Sequence, residues 1–155
     1  MTSLEGNLGY EFNDKHLLDR ALTRKAFANE QKQKGIVCSD QEVLRTLGDA
    51  VLKAILVDYL IDSGAATREE ITIKKMRMED EGSLSDVGKK LGIDSCIKLG
   101  AGEQKQGANK TKKVVAESLE AVIGAIYLDG GYDEAKRAVK EWLNSGLFGL
   151  TNEIA

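Results

Sequence analysis

Carboxylates recur at helical spacing in the most apolar parts of this 155-residue sequence. Within residues 39–61, SDQEVLRTLGDAVLKAILVDYLI, Glu42, Arg45, Asp49 and Lys53 fall at i, i+3, i+7 and i+11. On a helix that makes one polar stripe about 80° wide. Within residues 114–128, VVAESLEAVIGAIYL, Glu117 and Glu120 lie three apart and share a face. Unpaired carboxylates are costly to bury, so two acidic stripes carried into one core are expected to meet, and a cation there relieves their repulsion. A donor set made only of carboxylate oxygens suits a hard ion, Mg²⁺ or Mn²⁺. The same residues also have plain structural readings. Ser39-Asp40-Gln41-Glu42 is a capping box, and Arg45 and Asp49 are an i, i+4 ion pair.

The elements that must position these residues are helical. Leu44, Leu47, Ala50, Val51, Ala54, Ile55, Val57 and Leu60 leave the first stretch little surface for water, so it reads as a central helix starting at Ser39 and ended by Gly64. Before it, Met1 to Phe12 reads as a short lead, Asn13 as the N-cap of a helix with Leu17, Leu18, Ala21 and Leu22 inward, and 29–35 as a loop or frayed end. After it, Thr67-Arg68-Glu69-Glu70 opens another helix with a second capping box, and Ser83 to Leu91 forms a short one stopped by Gly92. Residues 100–113 form a flexible loop carrying Lys105, Lys110, Lys112 and Lys113. It is either a solvated loop or a polyanion-holding segment placed just before the second acidic helix. A last amphipathic helix spans Tyr132 to Trp142 through Ala135, Ala138 and Val139.

Composition agrees with an all-α fold in one domain. Pro is absent and aromatic residues make up only 5%, which favours helices with Gly-ended turns over a sandwich or barrel. We expect the domain over 1–146 and a tail over 147–155. Cys38 and Cys96 lie far apart without a CxxC pair, which fits a reducing, cytoplasmic location. Lys53 and Asp58 break the longest apolar run, so no membrane span is expected. No GxxxxGK[ST] pattern points to a nucleotide cofactor. The formal net charge of −3 does not exclude a nucleic-acid partner, because an acidic cluster beside a basic rim gives the same total. His16, the lone histidine, has no Ser or Cys nucleophile motif beside it and reads as a helix-surface side chain.

Residues 41–49, QEVLRTLGD, and 117–131, ESLEAVIGAIYLDGG, resemble the two acidic signatures of the ribonuclease III family, with Leu8-Gly9-Tyr10-Glu11-Phe12 and Ala21-Leu22-Thr23 matching in kind and order before them. The resemblance covers about residues 4–145. It implies the family's helical endonuclease domain, here without the C-terminal double-stranded-RNA-binding domain that often follows it. It also implies Mg²⁺-dependent hydrolysis of double-stranded RNA, with Mn²⁺ able to substitute. Asp49, Glu117 and Glu120 would be the metal ligands, and Glu42 a further catalytic acid acting as ligand or water positioner. Glu69 is a candidate outer acid. Lys105, Lys110, Lys112 and Lys113 would contact RNA, since A-form RNA is read largely through backbone shape, 2′-hydroxyls and phosphates. A homodimer is implied as well, with Thr46 at its interface.

The chain departs from the family pattern at several of these positions. Arg45 stands where the first signature usually has its second acid, Thr46 where an aromatic dimer contact usually follows, and Glu117 where the second signature has Asp. Arg45 either takes the cation's place among Glu42, Asp49, Glu117 and Glu120 or bends outward to meet RNA phosphate. The first alternative describes a catalytically impaired fold that binds or scaffolds double-stranded RNA. The second describes an endonuclease with a reduced metal site.

Overall fold

Glycines at matched positions let two apolar helices cross almost backbone to backbone. A Cβ at Gly48 would overlap the Glu120 carbonyl oxygen, and one at Gly124 the Leu44 carbonyl oxygen. The computed structural model, which describes residues 1–148, places this crossing at its centre. The helices are α4, Glu42–Asp62, and α8, Lys112–Gly130. Leu44, Leu52, Ile55, Leu56 and Leu60 of α4 are buried with Val115, Leu119, Val122, Ile123 and Ile126 of α8.

The other helices wrap this pair: α1 (Ser3–Leu8), α2 (Lys15–Ala21), α3 (Lys25–Gln33), α5 (Arg68–Glu79), α6 (Glu81–Leu91), α7 (Ala101–Lys105) and α9 (Tyr132–Asn144). No strand occurs among the described residues. A single parallel bridge joins Thr23 to Lys98, and there the Arg24 N–H donates to Lys98 O at 3.0 Å. α6 and α2 pack on α8, and α9 closes the remaining side through Ala135, Ala138, Val139 and Trp142, all buried. Trp142 Nε1 donates to Leu8 O at 3.0 Å, which ties the two ends of the chain together.

The all-α expectation holds, but several boundaries move. The N-terminal lead contains α1, whose Thr2–Glu5 capping box is complete, with Thr2 N–H on Glu5 Oε1 and Glu5 N–H on Thr2 Oγ1. Glu5 is fully buried, and its other oxygen accepts from Phe12 N and Lys15 Nζ, each at 2.7 Å. Burial pushes its carboxyl up, but the Lys15 ammonium and the backbone donors outweigh that and hold it at about 2. Asp14, not Asn13, caps α2. Asn29 to Gln33 belong to α3.

The Ser39 capping box does not form. α4 begins at Glu42, and its first free N–H donates to Asp40 Oδ1 at 2.9 Å. Thr67 does cap α5, although Glu70 reaches Ala66 N rather than Thr67 N. The 100–113 loop is folded into α7 and a 3-10 turn at Ala108–Lys110. Its fixed end is explained by Glu30, which accepts from Ala101 N at 2.8 Å.

α4 is also wetter than its composition suggests. Val43, Ala50, Ala54 and Ile61 are exposed, so one side of an apolar helix faces outward. Among the described residues no helix is long and apolar enough to cross a membrane. At the start of the expected tail, Leu147 packs against the core and Phe148 is buried; the rest of that tail lies outside the described residues.

The crossing sets a strict size limit on two side chains. Gly48→Ala puts a methyl group into helix backbone rather than into a flexible side chain, so urea unfolding should show a loss of about 3 kcal/mol or more. A loss under about 1 kcal/mol, the range of an ordinary helix substitution, would contradict the close crossing.

Candidate functional site

The α4–α8 crossing brings Asp49, one residue after Gly48, beside Glu120, whose own carbonyl abuts Gly48. The two carboxyl groups face each other within hydrogen-bonding reach. Burial first, then the bond to Asp49 and its charge, push the Glu120 carboxyl up to about 8. Burial opposes the Asp49 charge too, but the bonds from Lys53 and Glu120 bring its pKa below the usual carboxylate range. Lys53 Nζ lies 2.8 Å from Asp49 Oδ1. With Arg45 and Thr46, the pair lines an open pocket of about 310 Å³.

Glu117 faces a different environment. Its Oε2 accepts from Arg24 Nη1 at 3.0 Å and is ion-paired with Arg45 Nη1 at 2.8 Å, while Lys113 Nζ stands 4.0 Å from Oε1. Arg24 also bonds Gln41 Oε1 at 3.1 Å and Glu103 Oε2 through Nε and Nη2. Gln41 is buried and donates to Ala21 O and Ser118 Oγ. Arg45 Nη2 bonds Glu42 Oε2 at 2.9 Å. An unbroken run, Glu103–Arg24–Glu117–Arg45–Glu42, therefore links α7, the start of α3, α8 and α4.

The expected acids thus divide. Asp49 and Glu120 meet; Glu117 is held by two guanidinium groups; Glu42, half-exposed, holds Arg45 from outside. Among the described residues no three of His, Cys, Asp and Glu converge closely enough to hold a metal ion, so the three-ligand set of Asp49, Glu117 and Glu120 is not assembled. The i, i+4 pair between Arg45 and Asp49 does not form either, because each has nearer partners. Glu69 is exposed in the first turn of α5. The α5 acid that approaches the site is Glu79, whose Oε2 lies 3.8 Å from Lys53 and whose Oε1 lies 3.0 Å from Lys75. Lys105, Lys110, Lys112 and Lys113 are all exposed along the segment leading into α8, and Thr46 is exposed one residue after Arg45. His16 is exposed near the start of α2, as expected of a surface residue.

Arg24, Gln41 and Glu79 have no expected role in the sequence. The only signal for Arg24 is a cation immediately after Ala21-Leu22-Thr23, and nothing local shows that it crosses to α8.

Residues 14–147 match the family described as ribonuclease-III-like. The chain belongs to that family. Ribonuclease 3 of Bdellovibrio bacteriovorus is 34% identical over 140 residues, which cover 90% of this chain and 58% of that protein. Ribonuclease 3 of Oleidesulfovibrio alaskensis is 36% identical over 137 residues, 88% of this chain and 58% of that protein. This ribonuclease-III-like chain spans about six-tenths of the length of the curated relatives it matches. Among solved structures, the nuclease domain of ribonuclease III from Campylobacter jejuni superposes with a TM-score of 0.83 at 29% identity, covering 92% of this chain and 95% of that one; it is described as flexible in the region involved in dimer formation.

The raised Glu120 pKa of the ribonuclease-III-like site has a thermodynamic consequence. Glu120 keeps its proton to higher pH in the folded chain than in the unfolded one. The native state therefore binds more protons between the ordinary carboxylate range and about pH 8, and stability falls as pH rises through that window. Urea unfolding of the wild type should show this decline between about pH 6 and about pH 8.5, and Glu120→Gln should flatten it. Equal slopes for the two proteins would show that Glu120 is not the proton carrier.

Proposed function

We propose that the domain is an endoribonuclease acting on double-stranded RNA with Mg²⁺, for which Mn²⁺ can substitute. The observation that carries this reading is the Asp49–Glu120 pair, joined by the close helix crossing at the mouth of a pocket in a ribonuclease-III-like fold. The pair fits Mg²⁺ as proteins commonly take it, through one or two carboxylates with waters and substrate phosphate oxygens completing the shell. The raised Glu120 pKa marks two carboxylates that lack enough positive charge to ionise together, which a divalent cation supplies.

Asp49 and Glu120 would hold the ion, and Glu117 contributes one step removed by fixing Arg45 and Arg24. When bound, the ion activates water and stabilises charge on the leaving oxygen. Both carboxyl groups would have to be ionised to serve as ligands. Glu42, half-exposed at the start of α4 and tethered to Arg45, is available to orient water at the pocket rim. Lys105, Lys110, Lys112 and Lys113 attract the RNA backbone, and recognition through phosphates gives weak sequence preference and salt-sensitive affinity.

A second reading, an impaired nuclease fold that binds or scaffolds double-stranded RNA, is favoured by one observation: Glu117 is occupied by two guanidinium groups. Incubating a labelled RNA duplex with Mg²⁺, Mn²⁺ or EDTA separates the two. The first reading expects metal-dependent products that fall by at least about a hundredfold in Asp49→Asn and Glu120→Gln. Duplex binding without products in either metal supports the second.

The proposed assembly is a homodimer. Val43 and Ile61 of α4 and Ile73 and Met76 of α5 are exposed, and Ala54, Val57 and Ile61 line a groove of about 440 Å³ with Lys53 and Lys75. Thr46, exposed on α4, offers a partner little apolar area. Light scattering at micromolar protein should give a dimer mass, and Thr46→Phe should tighten association by adding buried apolar surface at roughly 25 cal/mol per Å². A monomer in both proteins would refute the assembly.

A further inference from the structure

We propose that Arg45 is a phosphate-binding residue of the RNA site, its guanidinium braced by Glu42 and Glu117 so that its remaining N–H groups meet a backbone phosphate at the mouth of the Asp49–Glu120 pocket. This rests on the reading that the site handles RNA, but not on whether the RNA is cut.

The position of Arg45 separates the two roles its charge allows. A cation standing in for the metal would sit on Asp49 and Glu120. Arg45 bonds neither; it pairs with Glu42 and Glu117, and the charged side chain bonded to Asp49 is Lys53. Its hydrogen bond to Glu42 uses one of the five guanidinium N–H groups, on Nη2, while Nη1 is ion-paired with Glu117 Oε2 at 2.8 Å. The remaining donors belong to a side chain 34% exposed that lines the pocket beside Asp49, Thr46 and Glu120. A planar fork with donors to spare matches phosphate oxygens in a way that an ammonium does not.

The brace is itself fixed. Glu117 is nearly buried and held at the same oxygen by Arg24, which Gln41 and Glu103 orient in turn. Arg24, Arg45 and Lys113 all face the one Glu117 carboxylate, so its charge is shared among three cations and does not cancel Arg45. Glu42 is 40% exposed, where solvent and salt weaken its hold. Lys113 and Arg45 flank the same carboxylate, which continues the basic segment of Lys105, Lys110 and Lys112 up to the pocket. A strand following those lysines arrives at Arg45 next to the carboxylate pair. The side chain that replaces an acid here therefore adds a contact to the polyanion.

Fluorescence anisotropy of a labelled RNA duplex with the full chain in EDTA, over a range of KCl concentrations, tests this without any cleavage. Arg45→Gln should weaken binding about tenfold at low salt and reduce the slope of log K against log[KCl] by about one, the signature of one lost phosphate contact. Arg45→Lys should keep the slope while binding severalfold more weakly than wild type, because charge remains and the fork is gone. Should circular dichroism show Arg45→Gln to be unfolded, Arg45→Lys decides alone: weaker binding supports the proposal and unchanged affinity overturns it.

An Arg45→Gln protein that folds and binds RNA with the wild-type slope overturns the proposal. If it also gains Mn²⁺ affinity by calorimetry, Arg45 is a plug in the metal site. Wild-type protein that binds the duplex without cutting it in Mg²⁺ removes the endonuclease reading and leaves the Arg45 result standing. Wild-type protein that cuts, with Arg45→Gln binding normally, removes only this inference; wild-type protein that does not bind the duplex removes both.

Discussion

The contact between the α4 and α8 backbones at Gly48 and Gly124 is the constraint on which the rest of the structure depends. Neither position has room for a methyl group, because the obstacle on each side is a carbonyl oxygen of the opposite helix. That closeness sets the core packing, since Leu44 of α4 and Leu119 and Ile123 of α8 are fully buried in one cluster. It also sets the chemistry. Asp49 follows one glycine directly, and Glu120 supplies the carbonyl that the same glycine abuts, so the interaxial distance fixes how near the two carboxyl groups stand. Removing water around them and setting the Asp49 charge beside Glu120 raise the Glu120 pKa even with Lys53 bonded to Asp49.

Much of this was legible in the sequence, for reasons that differ by element. The helical stripes of Glu42, Arg45, Asp49 and Lys53, and of Glu117 and Glu120, follow from spacing alone. Their meeting follows from the cost of burying carboxylates. What spacing could not supply was the direction of each side chain across the interface. Glu117 and Glu120 share a face, yet one turn of helix separates an acid facing two arginines from an acid facing another acid. Arg24 decides that difference, and it reaches the site from the start of α3 because a single backbone bridge at Thr23 and Lys98 pins it there. Nonlocal pairing of that kind has no periodic trace.

Local capping shows the same limit on a smaller scale. Ser39 and Glu42 have the spacing of a capping box, but Gln41 is drawn into the core by bonds to Ala21, Ser118 and Arg24, and the helix starts after it. Thr2 and Glu5 form the complete box instead. There the acid is buried and does a second job, tying Phe12 and Lys15 to α1. The 100–113 segment reads as loose because it is rich in Gly and Lys. One remote carboxylate, Glu30, and the segment's own Glu103, which accepts from Gly100 N, give it form.

The run from Glu103 through Arg24, Glu117 and Arg45 to Glu42 alternates in sign at every step, and that alternation makes its members interdependent. Changing Arg45 to an acid by itself would set a third carboxylate against Glu42 and Glu117 while leaving Arg24 in place, so the cost of that change depends on what stands at positions 24 and 117. The effects of substitutions along this run therefore do not add. An all-acid site in this chain calls for coordinated replacement of Arg45 and its neighbours rather than a single change.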